Sequence, residues 1–98
     1  MGRLGLPGRG AFGVTTITVI GRPGCHLCPT ALGIVETVVA ELPDEVGDSI
    51  EIVEKSIDDD PALHELWWEK IPVVLIDDEF HAQWRVDPDR LRRRLETT

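Results

Sequence analysis

An α/β fold with the element order β-α-β-α-β-β-α is predicted by three features of this 98-residue sequence. Short β-branched or continuously apolar runs recur at residues 14–20, 50–57 and 73–76, which suits strands. Between and after them, apolar residues repeat at helical spacing. The two patterns are separated by Gly-Pro clusters and by two Asp-Pro pairs of the kind that open helices.

The elements follow in order. Residues 14–20, Val-Thr-Thr-Ile-Thr-Val-Ile, are β-branched throughout and form the first strand. Gly21-Arg22-Pro23-Gly24 breaks the chain. After Cys28, apolar residues at Ala31, Ile34, Val35, Val38, Val39 and Leu42 describe a helix with one buried face, ended by Pro43, with Gly47 in the following loop. Residues 50–57 are the second strand, and strand-helix-strand in succession implies parallel pairing. Asp60-Pro61 starts a short helix running to about Trp68, with Leu63, Leu66 and Trp67 as its inner face. Trp67 and Trp68 are both expected to pack. Residues 73–76 form a fully buried strand and 77–79 a polar turn. Phe80, Ala82, Trp84 and Val86 then alternate with His81, Gln83 and Arg85, as in a half-buried strand paired back in a hairpin. Asp87-Pro88 caps the last helix, where Leu91 and Leu95 face inward. The arginines at 90 and 92–94 form a solvated end suited to the helix dipole.

Composition bounds the function. The length argues for one domain able to bury a core without staples. A make-up of 42% hydrophobic and 29% charged residues is that of a soluble globular protein. The net charge of −8 argues against nucleic acid, whose binding draws on Lys and Arg. Residues 1–13 carry five of the nine glycines and a charge of +2 against −10 for the remainder, and are expected to be a flexible tail preceding a domain over 14–98. Gly8, Gly10 and Gly13 match a dinucleotide-loop pattern but precede the first strand instead of following one, so no nucleotide site is read there. No run is long enough to span a bilayer, and the tail lacks the apolar core of a secretory signal. The expected setting is cytoplasmic, with no membrane partner and a monomeric chain. The acidic runs at 58–60 and 77–79 lack calcium-loop spacing and read as solvated loops.

The only two thiols are Cys25 and Cys28, in Cys25-His26-Leu27-Cys28 at the junction of the first strand and first helix. Two cysteines make neither a secreted disulfide scaffold nor a four-thiolate zinc site. A helix N-terminus offers unpaired amides and partial positive charge. Such a setting lowers a thiol pKa from about 8.5 into a range of roughly 3.5–7.5. Cys25 is then the attacking thiol, and Cys28, one turn in, the resolving one. Pro29 costs no helical bond if His26 is the N-cap, and one if Cys25 is. Three other readings stand beside this one. The cysteines could join two of His26, His64 and His81 on zinc, could be inert and buried, or could belong to a redox-sensing or adaptor module without turnover.

The run Arg22-Pro-Gly-Cys-His-Leu-Cys28 after a β-branched strand, with Ile71-Pro72-Val73 about 45 residues on, resembles the glutaredoxin-like branch of the thioredoxin fold. The resemblance covers about residues 14–96. It implies a four-stranded mixed sheet with helices on both faces, and a small thiol–disulfide oxidoreductase whose redox-active disulfide serves cell redox homeostasis. It implies a cis Ile71–Pro72 bond facing the cysteines, with the Ile71 backbone free to pair with a substrate. Arg22 stands where glutaredoxins often carry a cation for the glutathione carboxylate. His26 and Leu27 tune or line the motif, and Asp87, a helix cap, stands near an acid that receives the glutathione amine. No bound cofactor or metal is implied. The reductant is external, either glutathione, another low-molecular-weight thiol or a reductase, and the substrates are protein or small-thiol disulfides. The stretch Gln83-Trp84-Arg85-Val86-Asp87 lacks the glycine pair by which glutaredoxins admit glutathione to the backbone, which weighs against glutathione itself.

Overall fold

A computed structural model describes residues 15–96. The expected tail at 1–13, and Val14 at the start of the first strand, lie outside the described residues. Strand β1 (Thr15–Gly21) leads to helix α1 (Cys28–Glu41) and the one-turn helix α2 (Asp44–Gly47). Strand β2 (Ile50–Ser56) follows, then a 3-10 turn (Ile57–Asp59), helix α3 (Pro61–Trp67), the hairpin β3 (Val73–Ile76) and β4 (Glu79–Gln83), and helix α4 (Pro88–Glu96). The sheet has four strands in the order β2-β1-β3-β4. β1 runs parallel to β2 and antiparallel to β3, which pairs antiparallel with β4. This is the mixed sheet expected from the sequence.

β1 is central, and six of its seven residues are buried. Its β-branched composition reflects the need to pack on both sheet faces at once. On one face Ile17 and Val19 meet Ala31, Val35 and Val38 of α1 and Leu91 and Leu95 of α4, with Val74, Ile76 and Val86. Each fully buried aliphatic side chain there contributes about 1.5–3 kcal/mol. A smaller cluster joins Ile20, Ile57 and Val73, with Leu63, Trp67 and Ile71 packed against it. Asp60 caps α3 by accepting the Ala62 N–H at 2.9 Å, and Asp87 caps α4 by accepting those of Asp89 at 2.9 Å and Arg90 at 3.3 Å. The β3–β4 turn places Asp77 and Asp78 at φ of 51° and 70°, the left-handed pair that matches hairpin twist. Asp77 also ties back to β1, its carboxylate accepting the Thr16 N–H at 3.0 Å.

Several expectations are corrected. Pro43 ends α1, but the next residues close the helical turn α2 instead of a plain loop, and Ile57 leaves β2 for the 3-10 turn. On α3, Leu63 and Trp67 pack against the smaller cluster while Leu66 is 59% exposed, so the buried stripe is narrower than the i, i+3, i+4 spacing predicts. Trp68 is 54% exposed and stacks on His64, whereas Trp67 stacks on Phe80 beneath the Lys70 ammonium. The last strand ends at Gln83 rather than continuing to Val86, and its alternation is broken. Val74 pairs with Ala82 but the next residue, Leu75, pairs with Phe80, so His81 is the extra residue of a bulge. His81 and Ala82 are therefore both buried and Phe80 is exposed. The arginine-rich end of α4 is not simply solvated, since Arg92 pairs with Glu41 and Asp89, and Arg94 with Glu79.

Candidate active site

The turn after β1 delivers the first cysteine. In Arg22-Pro23-Gly24-Cys25 the Cys25 N–H donates to the Arg22 carbonyl at 3.3 Å and Gly24 has φ of 83°. Proline then glycine at the two central positions is the pattern of a type II turn, which needs a residue free of Cβ at the second. The helix begins at Cys28 with Leu27 as N-cap, one residue later than His26 and two later than Cys25, the caps considered from the sequence. Pro29 thus sits at the second helical position, where the missing N–H removes no helical bond, and the first bond closes from Ala31 to Leu27 at 3.0 Å. Cys28 opens the helix instead of lying a turn inside it, and Cys25 stands in the loop before it.

Cys25 and Cys28 form a disulfide with their Cα atoms 5.4 Å apart, and both are half-buried. Cys28 packs on the end of β1: a Cβ at Gly21 would come within 2.5 Å of the Cys28 Sγ. Glycine is required there by close approach. A cavity of about 500 Å³ opens at the pair, lined by Arg22, Cys25 and Cys28 and, from β2 and the 3-10 turn, Glu54, Lys55 and Asp59. Its charges are mixed, two cations against two carboxylates.

The other predicted site residues are distributed. Leu27 points away from this cavity, 42% exposed, into a second groove of about 440 Å³ that it shares with Ala31, Ile34, Trp84, Arg85 and Val86. His26 is exposed and lines neither space. The Ile71–Pro72 peptide is cis. Pro72 is buried and directly precedes Val73, whose partner Ile20 directly precedes Gly21, the residue that Cys28 covers. Its carbonyl accepts the Trp84 N–H at 2.8 Å. Asp87 spends one carboxylate oxygen on two α4 amides. Among the described residues no group of three or more His, Cys, Asp or Glu side chains is arranged to hold a metal ion, and no helix is long and apolar enough to cross a membrane.

Trp84 is the residue that sequence reasoning missed. It has φ of 63°, a conformation that costs a bulky residue of order 1–3 kcal/mol. It is held by its own N–H, by the Arg85 N–H to the Gln83 carbonyl at 2.7 Å, and by the indole Nε1–H to the Glu69 carbonyl at 3.0 Å. As a strand residue it reads as part of the core. The only hint of another role is that the alternation places it directly before the Arg85-Val86-Asp87 connection. Glu54, Lys55 and Asp59 carry no local signal of a place in this site, because parallel pairing with β1 brings the first two to the cysteines and the 3-10 turn after β2 brings the third.

Comparison with known proteins agrees with this architecture. The profile of the family described as "Glutaredoxin-like domain (DUF836)" matches residues 16–96. The uncharacterized protein Rv0508 of Mycobacterium tuberculosis is 30% identical over 79 residues, which span 78% of this chain and 77% of that one. The solved structure of XcR50 from X. campestris superposes with a TM-score of 0.62 at 26% identity, covering 84% of this chain and 97% of its own. A mutant thioredoxin from Halobacterium salinarum superposes at 0.60 with 17% identity, covering 86% and 74%. With a thioredoxin-like fold, a cysteine pair at the β1–α1 junction and a profile match over nearly all of the described residues, the chain belongs to the glutaredoxin-like (DUF836) family.

Proposed function

We propose that this protein is a small dithiol–disulfide oxidoreductase. The observation that carries the reading is the Cys25–Cys28 disulfide at the strand-to-helix junction, open to solvent through the mixed-charge cavity. In the reduced protein the Cys25 thiolate attacks one sulfur of a substrate disulfide. A Cys25–substrate disulfide forms, and the other substrate sulfur leaves as a thiolate that takes a proton from water. Cys28, deprotonated, then attacks the Cys25 sulfur. The intramolecular disulfide forms and the second substrate thiol departs. The substrate gains two electrons and the protein loses two. An external low-molecular-weight thiol or a reductase returns them, and no bound cofactor takes part.

The start of α1 supplies what the thiolate needs, since the first amides of a helix have no intrahelical acceptor and carry the positive end of its dipole. The Arg22 guanidinium adds a fixed cation on the cavity wall, and His26, exposed outside that cavity, adjoins Cys25 in the chain. Leu27 and the Ile71–Pro72 backbone flank the docking path of a protein or small-thiol disulfide. Asp87 serves α4 first, and its free carboxylate oxygen could receive a substrate amine.

Turnover of a model disulfide with a dithiol donor tests the reading. Cys25→Ser is expected to abolish activity, and Cys28→Ser to accumulate a mixed disulfide at Cys25. Activity persisting in Cys25→Ser overturns the mechanism. Reduction that stops after one equivalent assigns the chain to a redox-sensing module without turnover.

A further inference from the structure

We infer that Trp84 and Leu27 form the walls of a side-chain-binding groove that selects polypeptide disulfides. Its occupant is an extended protein segment with a large apolar residue within two positions of the disulfide cysteine, and a carboxylate that meets Arg85. The inference rests on the oxidoreductase reading and names the substrate class for that site.

Three observations converge on it. The first is the cost borne at Trp84. A bulky residue at φ of 63° persists only where its surroundings over-determine it, and such outliers gather at functional sites. Core packing does not explain the choice of residue: Trp84 is 52% exposed, and glycine would adopt the same turn without strain. What the three hydrogen bonds achieve is an indole fixed in one place at the surface.

The second is what Trp84 borders. The groove it lines also contains Leu27, exposed between the two cysteines, with Ala31 and Ile34 from α1 and the buried Val86. Its volume of about 440 Å³ lies in the range of small ligand sites. Leu27 is two residues from Cys25, so their Cα atoms are at most about 7 Å apart. A substrate joined through its sulfur to Cys25 reaches the groove with a neighbouring residue when its chain is extended. The groove is separate from the mixed-charge cavity that borders both cysteines. A compact charged thiol gains nothing from its apolar walls, while an aliphatic or aromatic side chain does.

The third is charge. Arg85 lines the groove, is exposed, and makes no ion pair among the described residues, on a chain whose net charge is −8. A guanidinium left free beside an apolar groove suits a carboxylate near the apolar residue, which it can grip by two parallel hydrogen bonds.

The experiment is a thiol–disulfide exchange competition on the Cys28→Ser variant, in which the Cys25–peptide disulfide cannot be resolved. The thiolate of one peptide displaces the other from Cys25, so one disulfide forms as one breaks and no net oxidation occurs. The peptides are identical except for Leu or Gly next to cysteine, and in a second pair Glu or Gln one position further. Populations are read by mass spectrometry. The Leu peptide is expected to win about tenfold, as for one well-buried side chain, and Trp84→Gly to bring the ratio near one. Leu27→Ala, on the opposite wall and with its backbone unstrained, is expected to lower it severalfold and keeps the test decisive if Trp84→Gly fails to fold. Arg85→Gln is expected to erase the Glu preference. Equal occupancy by the Leu and Gly peptides in the parent, or a ratio unchanged in Leu27→Ala, overturns the inference. Absence of turnover with an intact Leu preference overturns the oxidoreductase reading and leaves the groove standing.

Discussion

At Gly21 a single hydrogen atom in place of a side chain decides whether the cysteine pair can sit where it does. The Cβ of an alanine there would lie 2.5 Å from the Cys28 Sγ and 3.1 Å from its Cβ, and both residues belong to regular elements that cannot easily yield. Gly21→Ala is therefore expected to cost about 1–3 kcal/mol, as overpacking does, measured from the urea midpoint of the oxidised protein. Gly33, inside α1, is the counterexample. A Cβ there meets nothing within 4 Å, so Gly33→Ala is expected to stabilise by about 0.5–1 kcal/mol through helix propensity. His81 is the other residue whose surroundings make it informative. It is 6% exposed, and its Nε2 has no hydrogen-bond partner among the described residues. Burial, and then the Arg90 and Arg94 guanidiniums, push its pKa below the usual 6.5. The folded protein therefore binds this proton less readily than the unfolded chain does. Its contribution is complete above pH 6.5 and is lost as the pH falls from there toward the lowered value. The slope is at most about 1.4 kcal/mol per pH unit. His81→Gln is expected to flatten the stability difference between about pH 7 and 5. A parallel offset of the two curves would show that His81 binds its proton equally well in the folded and unfolded states.

Helix α4 depends on its first turn. Asp87 accepts two of its amides, and only Leu91 and Leu95 fasten the nine-residue helix to the core. Asp87→Ala is expected to lower stability by about 1 kcal/mol and Asp87→Ser to recover most of it, because serine caps nearly as well. If Asp87 also receives a substrate amine, Asp87→Ser restores the thermal midpoint but not KM. The hairpin before α4 combines two devices that residue patterns encode unequally. The Asp77-Asp78 turn follows from two residues that tolerate left-handed backbone. The His81 bulge does not, because it depends on how β4 docks against β3. The inserted residue puts Phe80 out of phase with buried Ala82 and leaves it exposed, whereas Trp84, assigned to the core by alternation, reaches the surface through its left-handed backbone just after the strand ends at Gln83.

Across the molecule the sheet divides the core unequally. The face under α1 and α4 holds twelve buried residues and the face under α3 and the 3-10 turn three. β1 is paired on both sides, while β2 and β4 are edges. Native-state hydrogen exchange should find the amides of Ile17, Thr18 and Val19 among the slowest, opening only with global unfolding. Those of α3 should exchange at lower free energy, since that face opens without disturbing the larger cluster. Equal protection of α3 and β1 would show that the two clusters unfold as one unit. Ile71, next to Pro72, packs against the smaller cluster, so opening of that cluster would also loosen the segment proposed to dock substrates.

The order of strands and helices, the helix starts at Asp60 and Asp87, and the cysteine pair at the first strand-to-helix junction were all legible in the sequence. Each rests on local chemistry: β-branched runs, Asp-Pro pairs, a Pro-Gly turn ahead of Cys25. The residue list also dictates that any thiol chemistry must run through this one pair, because there is no other cysteine. What surrounds the pair comes from the tertiary fold. Parallel pairing with β1 carries Glu54 and Lys55, and the 3-10 turn after β2 carries Asp59, to the cysteines from some 30 residues away. The left-handed turn after β4, held by contacts to Pro72 and Glu69, sets Trp84 on the groove it shares with Leu27. Pairing register and strand phase are set by contacts between distant segments, and no periodicity within one segment records them.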